Sequence, residues 1–351
     1  MNFIKYIIKP IILAGLTIPL FIIPVYASDK PSGEDEKFDA SEFILKHLKD
    51  THEWHIITKK NGEHVSVPLP VILYSGNSGL NIFMSGKLSH GHVYNGFMLS
   101  EEKENAGKIV EVNENNEVTG IPLDFSITKT VAAMMLTAVI ILFLFIRMGR
   151  IYSRKKTVVP KGMNGLLEPM IIFIRDEIAL PNIGHHKYER FMPYLLTVFF
   201  FILINNLIGL IPFFPFGANV TGNIAVTMFL ASVTFLITQF SGTKTYWRHI
   251  FATPGVPVWL SPIMIPVEII GMFSKPFALM IRLFANITAG HIVVLSLVSL
   301  IFIFKQIWIS SVSIPMVLFI DVLEILVAFL QAYVFTLLSA LFIGLSVKEH
   351  H

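Results

Sequence analysis

The chain has 351 residues, 54% of them hydrophobic and 15% charged, with a formal net charge of +3. That apolar share lies above, and that charge well below, what a water-soluble domain carries, so a purely soluble protein is excluded. The absence of cysteine excludes disulfides, thiol chemistry and a lipid-modified cysteine.

The first 27 residues carry the pattern of a secretory signal. Lys5 and Lys9 form a basic start, Ile11 to Ile23 an apolar run, and Val25-Tyr26-Ala27 ends in a small residue suited to cleavage. Pro10, Pro19 and Pro24 weaken the same run as a spanning helix. A signal of this kind places residues 28–121 outside the membrane, as an exported polar region. Residues 28–127 hold 16 of the 24 acids and nine of the 27 bases, whereas residues 191–351 hold only four acids and six bases. A polar part is therefore followed by a membrane part, 122–351.

Within the polar part, Ser28 to Glu42 reads as a charged linker, and Ala40 to His55 as one amphipathic helix with Phe43, Ile44, His47, Leu48 and Trp54 near one face. From Val65 to Phe125, short alternating runs separated by Gly and Asn predict a few strands and hairpins, hence a small mixed α/β region. His52-Glu53-Trp54-His55 is not a zinc-protease helix, because its histidines are three apart and the motif needs four. His90-Gly91-His92 specifies no third metal ligand and reads as a solvated loop.

The membrane part predicts about five spans: 130–146, 191–211, 222–240, 260–304 and 313–347. Six bases follow the first, from Arg147 to Lys161, and place that end in the cytoplasm. Gly162 to Lys187 mixes apolar and charged residues and reads as an interfacial amphipathic helix. The last two runs would extend roughly 67 Å and 52 Å as helices at about 1.5 Å per residue. Both overshoot a hydrocarbon core of about 30 Å, so they must tilt strongly or break. The expected fold is an all-α polytopic membrane protein, its last two helices a slanted hairpin joined around Lys305 to Ser311.

Charged groups inside these runs are the candidate functional residues. An arginine at bilayer depth costs at least about 2.5–3.5 kcal/mol. On one helix Glu268, Lys275 and Arg282 are seven apart and share a face within about 20° per step. Asn286 lies about 40° from Arg282, and His291 about 180° away. Ala285, Ala289 and Gly290 thin the helix for close approach of another. On the last helix Glu324 and Gln331 share a face, with Asp321 one turn earlier. Two readings follow from these residues. An Arg282–Glu324 pair with Asn286 bonded across helices would hold a bundle together. Alternatively, His291 and Glu324 can exchange protons while Arg282, which stays charged, acts as a fixed charge in an ion path.

The run Ser274-Lys275-Pro276…Arg282-Leu283-Phe284-Ala285-Asn286…Ala289-Gly290-His291 resembles subunit a of F-type ATP synthases. So do Glu324 with Leu330-Gln331-Ala332-Tyr333-Val334-Phe335, and Asn205-Asn206-Leu207-Ile208-Gly209-Leu210-Ile211-Pro212. The resemblance covers roughly 122–349. Many bacterial members have glutamate where this chain has His291 and histidine where it has Glu324; the exchange implies that the two are neighbours. The resemblance further implies a non-catalytic subunit beside a rotating ring of c subunits, with subunit b among the other partners and lipid around it, in a bacterial inner membrane, with the C-terminus cytoplasmic. Arg282 would face the ring. Glu324, His291 and Glu268 would relay protons in two offset half-channels, with Asn286 and Gln331 as polar neighbours. No cofactor, metal or nucleic acid is implied. A secondary ion transporter binding substrate through Arg282 and Glu324 is the rival reading, although no inverted repeat relates 122–240 to 260–347.

Overall fold

A computed structural model describes residues 44, 50–58, 64–76, 78–88, 91–100, 107–113, 117–154, 162–211, 217–251, 258–304 and 306–348. The signal segment, the linker, most of the expected 40–55 helix, His47 and His90 lie outside these residues. Where that helix was expected to end, the chain is instead extended: β1 (Glu53–Thr58) pairs antiparallel with β2 (His64–Pro68). Trp54, His55, Ile56 and Ile57 are aromatic or β-branched in the main and suit a strand.

Two three-stranded sheets follow. β3 (Pro70–Ser75) lies between β4 (Gly79–Met84) and β8 (Leu123–Asp124), and β6 (Ile109–Val112) between β5 (Phe97–Leu99) and β7 (Val118–Gly120). Alternation along β3 sends Val71 and Leu73 inward, where they meet Phe83, Phe97 and Ile109 in one core. The described part of the N-terminal region is thus mainly β, with Ile44 helical and a 3-10 turn at Ser85–Lys87.

Among the described residues seven helices make the membrane part. α1 (Lys129–Arg154) is followed by α2 (Met163–Phe173), which continues through a π-helical turn at Ile174–Ala179 into Leu180–Ile183. The wide turn ends two residues before Pro181, which has no N–H to continue the ordinary helical ladder. α2 was expected to be an amphipathic helix rather than a span; Leu167, Met170, Ile174, Ile178 and Ile183 are buried in the main core. Its charged residues Arg175 and Asp176 pair on the exposed side, 2.7 Å apart.

α3 (Tyr188–Gly209), α4 (Ile224–Phe240) and α5 (Lys244–Phe251) come next, with α4 and α5 bent by 102°. Then come α6 (Ser261–Phe304) and α7 (Ile307–Val347). α6 runs unbroken through Pro266 and Pro276, and α7 through Pro315. Only residues 305–306 separate the two, so the expected connector at Lys305 to Ser311 is mostly helix. At about 1.5 Å per residue α6 and α7 are roughly 66 Å and 62 Å long, about twice the hydrocarbon thickness. Among the described residues four helices are long and apolar enough to cross a membrane, or five if α4 and α5 count as one bent span. The main core lies between α2, α3, α6 and α7, around Phe199, Phe200, Leu279, Leu283 and Phe335.

The two parts meet at β1 and the loop before α4. Trp54 packs with Ala133 of α1 and with Ala218, Val220 and Val226. The Asp50 carboxylate accepts from the Thr130 backbone N–H at 3.0 Å, and the Thr51 carbonyl from Lys129 N–H at 2.9 Å. These bonds satisfy two N–H groups that a helix start leaves without intrahelical partners.

Candidate ion path

The α6–α7 hairpin positions the intramembrane polar groups. Small residues set its register. A Cβ on Gly290 of α6 would overlap Oε1 of Glu324 and lie 3.0 Å from its Cδ. Only glycine lets that carboxyl rest against the α6 backbone. Near the other end Lys275 Nζ is 5.7 Å from the Phe342 ring centroid. The two contacts set the antiparallel register and bring Gln331 to the level of Leu283 to Asn286.

Arg282 and Asn286 lie on the exposed side of α6, while Leu279 and Leu283 are buried on the other. Among the described residues Arg282 forms no ion pair; the pairs present are His52–Asp124 and Arg175–Asp176. The arrangement in which Arg282 and Glu324 hold the bundle together is thus not adopted. Glu268 and Lys275, seven-residue neighbours of Arg282, are half-buried and turn toward α4 and α5.

A polar cluster lies on each side of Arg282 along α6. Toward the C-terminal end, about 13 Å away at the helical rise, is His291. Its Nε2 approaches Gly209 at the end of α3, where a Cβ would lie 3.9 Å from it. Glu324 rests against the adjacent Gly290, its Oε1 buried and without a hydrogen-bond partner among the described residues. Asn206 of α3 joins this cluster. Its side-chain amide donates to the carbonyl of Ala328, one turn after Glu324, at 3.4 Å, and its oxygen accepts from the Thr221 hydroxyl. The loop that supplies Thr221 is the one covered by Trp54. Neighbouring Asn205 does different work. It accepts from Thr137 at 3.0 Å and ties α1 to α3.

Toward the N-terminal end, about 21 Å from Arg282, is Glu268. It lies within electrostatic reach of the Tyr246 phenol of α5. Tyr246, Gln239, Thr238 and Lys275 line a narrow cleft. Further in, the Tyr194 and Thr234 hydroxyls are 2.6 Å apart, and Ser339 lies 3.4 Å from Thr234. None of Thr221, Gln239 and Tyr246 was singled out from sequence: Thr221 lies in a loop, Tyr246 on a short helix, and the phase of α4, which carries Gln239, against α6 is set only by packing. Thr227, Thr234 and Thr238, spaced seven and four apart and all buried, did offer a readable polar stripe.

Residues 131–344, from α1 nearly to the end of α7, match the family model described as ATP synthase A chain. The chain belongs to the ATP synthase A chain family. It is 52% identical over 232 residues to ATP synthase subunit a of Chloroherpeton thalassium, covering 64% of this chain and 68% of that one. To ATP synthase subunit a 2 of Chlorobaculum tepidum it is 51% identical over 240 residues, 66% of each chain. To ATP synthase subunit a of Myxococcus xanthus it is 48% identical over 236 residues, covering 65% of this chain and 75% of that one. The aligned stretch thus spans about two thirds of the first two relatives' length. Residues 43–125 match a separate model, a domain of unknown function (DUF8433). The ATP synthase A chain match takes in all three helices that meet at Gly209, Gly290 and Glu324.

Proposed function

We propose that the chain is the proton-translocating subunit a of an F-type ATP synthase, working beside a ring of c subunits in a bacterial inner membrane. The observation that carries this reading is Arg282. It stands on an exposed helix face without an ion partner among the described residues, with polar clusters at separate distances on either side. A buried charge at that depth needs a counterion, and an exposed one facing a partner finds it there. A ring carboxylate passing Arg282 is favoured in its ionised form and gives up its proton. The fixed charge also blocks direct passage between the two clusters, because arginine does not deprotonate.

The outer half-channel runs by the loop at Thr221 to Asn206, His291 and Glu324. The inner one holds Glu268, Tyr246, Gln239 and Lys275. Asn286 sits on the ring side with Arg282, and Gln331 at the same level on α7. A proton that crosses gains about 2.3 kcal/mol per 100 mV, so many steps of a ring are needed for each ATP. In this orientation residues 1–27 are a cleaved signal, the β-rich region is outside and the C-terminus is cytoplasmic. Subunit b is a further stator partner.

Co-purification with cross-linking tests the assignment. A single cysteine replacing Ile281, exposed beside Arg282, is expected to form a disulfide with a cysteine on the outer helix of a co-purifying c subunit. A chain that purifies alone and yields no such product would point to the rival transporter.

A further inference from the structure

The sheet β4–β3–β8 has one face in the core and one outward. Tyr74 pairs with both Leu80 and Leu123, and Ile72 with Ile82, so these side chains stand in rows on the outward face. Backbone bonds from Phe125 to Ile72 and from Ile127 to Pro70 continue the pairing beyond β8, toward the start of α1 at Lys129. The rows hold no charged residue. Leu80, Ile82, Leu123 and Phe125 are each 61–66% exposed, with Tyr74 and Met84 at 51% and 45%. A soluble domain seldom leaves so continuous an apolar face open to water.

The adjoining helix indicates what covers it. Arg147 and Arg150 fix one end of the apolar run of α1, which reaches back to Thr130 over 17 residues. That is about 25 Å at the helical rise, short of a hydrocarbon core of about 30 Å. The shortfall falls at the end that enters the sheet. Lys129, at this junction, has a stem long enough to carry its ammonium to the headgroups. The exposed side of α1 carries Val139, Leu142 and Phe143, each about 60% exposed, and the start of this helix is joined to the sheet by the Ile127–Pro70 backbone bond.

We propose that the outward face of the β4–β3–β8 sheet rests on the bilayer, its apolar side chains in contact with lipid in the leaflet opposite Arg147 and Arg150. The β-rich region is then held against the membrane by its own surface as well as by the Trp54 contact. This proposal does not depend on the ion path.

The chain has no cysteine, so single nitroxide labels can be placed without removing others. Labels at Ile82→Cys and Leu123→Cys, with Glu117→Cys in the β6–β7 turn as the water-exposed control, are to be read in the complex reconstituted in phospholipid vesicles. Power saturation with oxygen and with a water-soluble nickel chelate reports lipid and water access. The expected result is relaxation by oxygen several-fold above that by the chelate at Ile82 and Leu123, and the reverse at Glu117. Chelate access at Ile82 and Leu123 equal to that at Glu117 would show a solvated face. Access to neither reagent would show cover by protein, whether a partner or the chain's own N-terminal residues. Either result overturns the proposal.

Discussion

Glu324 rests against Gly290 with no room for a Cβ, so substitution there has a defined expectation. Gly290→Ala would drive a methyl into the Glu324 carboxyl. Relief requires α6 and α7 to separate or the carboxyl to turn away, and overpacking of this kind costs about 1–3 kcal/mol. A lower thermal midpoint of the purified complex and slowed proton pumping are expected together. Asn286→Ala, on an exposed face, should leave the midpoint unchanged, and Glu324→Gln should slow translocation more than Asn286→Ala does in a vesicle pumping assay. Outside the membrane, burial raises the Asp124 carboxyl, but hydrogen bonds from His52 and Ser126 outweigh it and hold it at about 2, below the ordinary 3.8. A carboxylate with a lowered folded value stabilises fully above its unfolded value. The stabilisation from Asp124 is therefore intact above about pH 4 and is lost as the pH falls through about 2. Asp124→Asn should lower the melting temperature of the β-rich region at pH 6 and converge with the unsubstituted protein near pH 2, as followed by circular dichroism. Arg282, Asn286 and His291 were legible as residues because helical phase alone separates the first two from the third. The Glu324–Gly290 contact was not, since it depends on the register of two helices that no single-helix pattern encodes.

At the scale of elements, length was the clearest sequence signal. Runs too long for an upright span did become α6 and α7, with lengths near 66 Å and 62 Å at the helical rise. Their connector was misplaced because Gln306 to Ser313 has no strong helix breaker, and the helix continues back to Ile307. The end of the expected 40–55 helix failed for another reason. Trp54 fits an apolar helical face as well as a strand, and pairing with β2 decides the matter. The π-helical turn before Pro181 and the 102° bend between α4 and α5 have no periodic signature at all. Such elements are held by tertiary bonds, and Asn206 supplies an example. Thr221→Val removes a buried hydrogen bond and leaves the Asn206 oxygen unsatisfied, which costs about 1–3 kcal/mol. A lower thermal midpoint is expected, with Thr221→Ser restoring most of it. Equal midpoints for the two variants would show that the bond does not hold the loop.

At the scale of the whole molecule, two unlike parts share one boundary. A β-rich region seats Trp54 over the loop that reaches Asn206, and the helical part arranges its polar groups on either side of Arg282. The division was readable from charge distribution, whereas the docking between the parts was not, because Ala133, Ala218, Val220 and Val226 carry no mark of a partner. The central claim is that an exposed, unneutralised Arg282 governs the exchange of protons with a ring. ATP-driven acidification of vesicles holding the complete synthase with Arg282→Ala tests it most directly. Complete loss of coupled pumping, with ATP hydrolysis by the soluble sector retained, is predicted. Pumping at a rate close to that of the unsubstituted complex would contradict it.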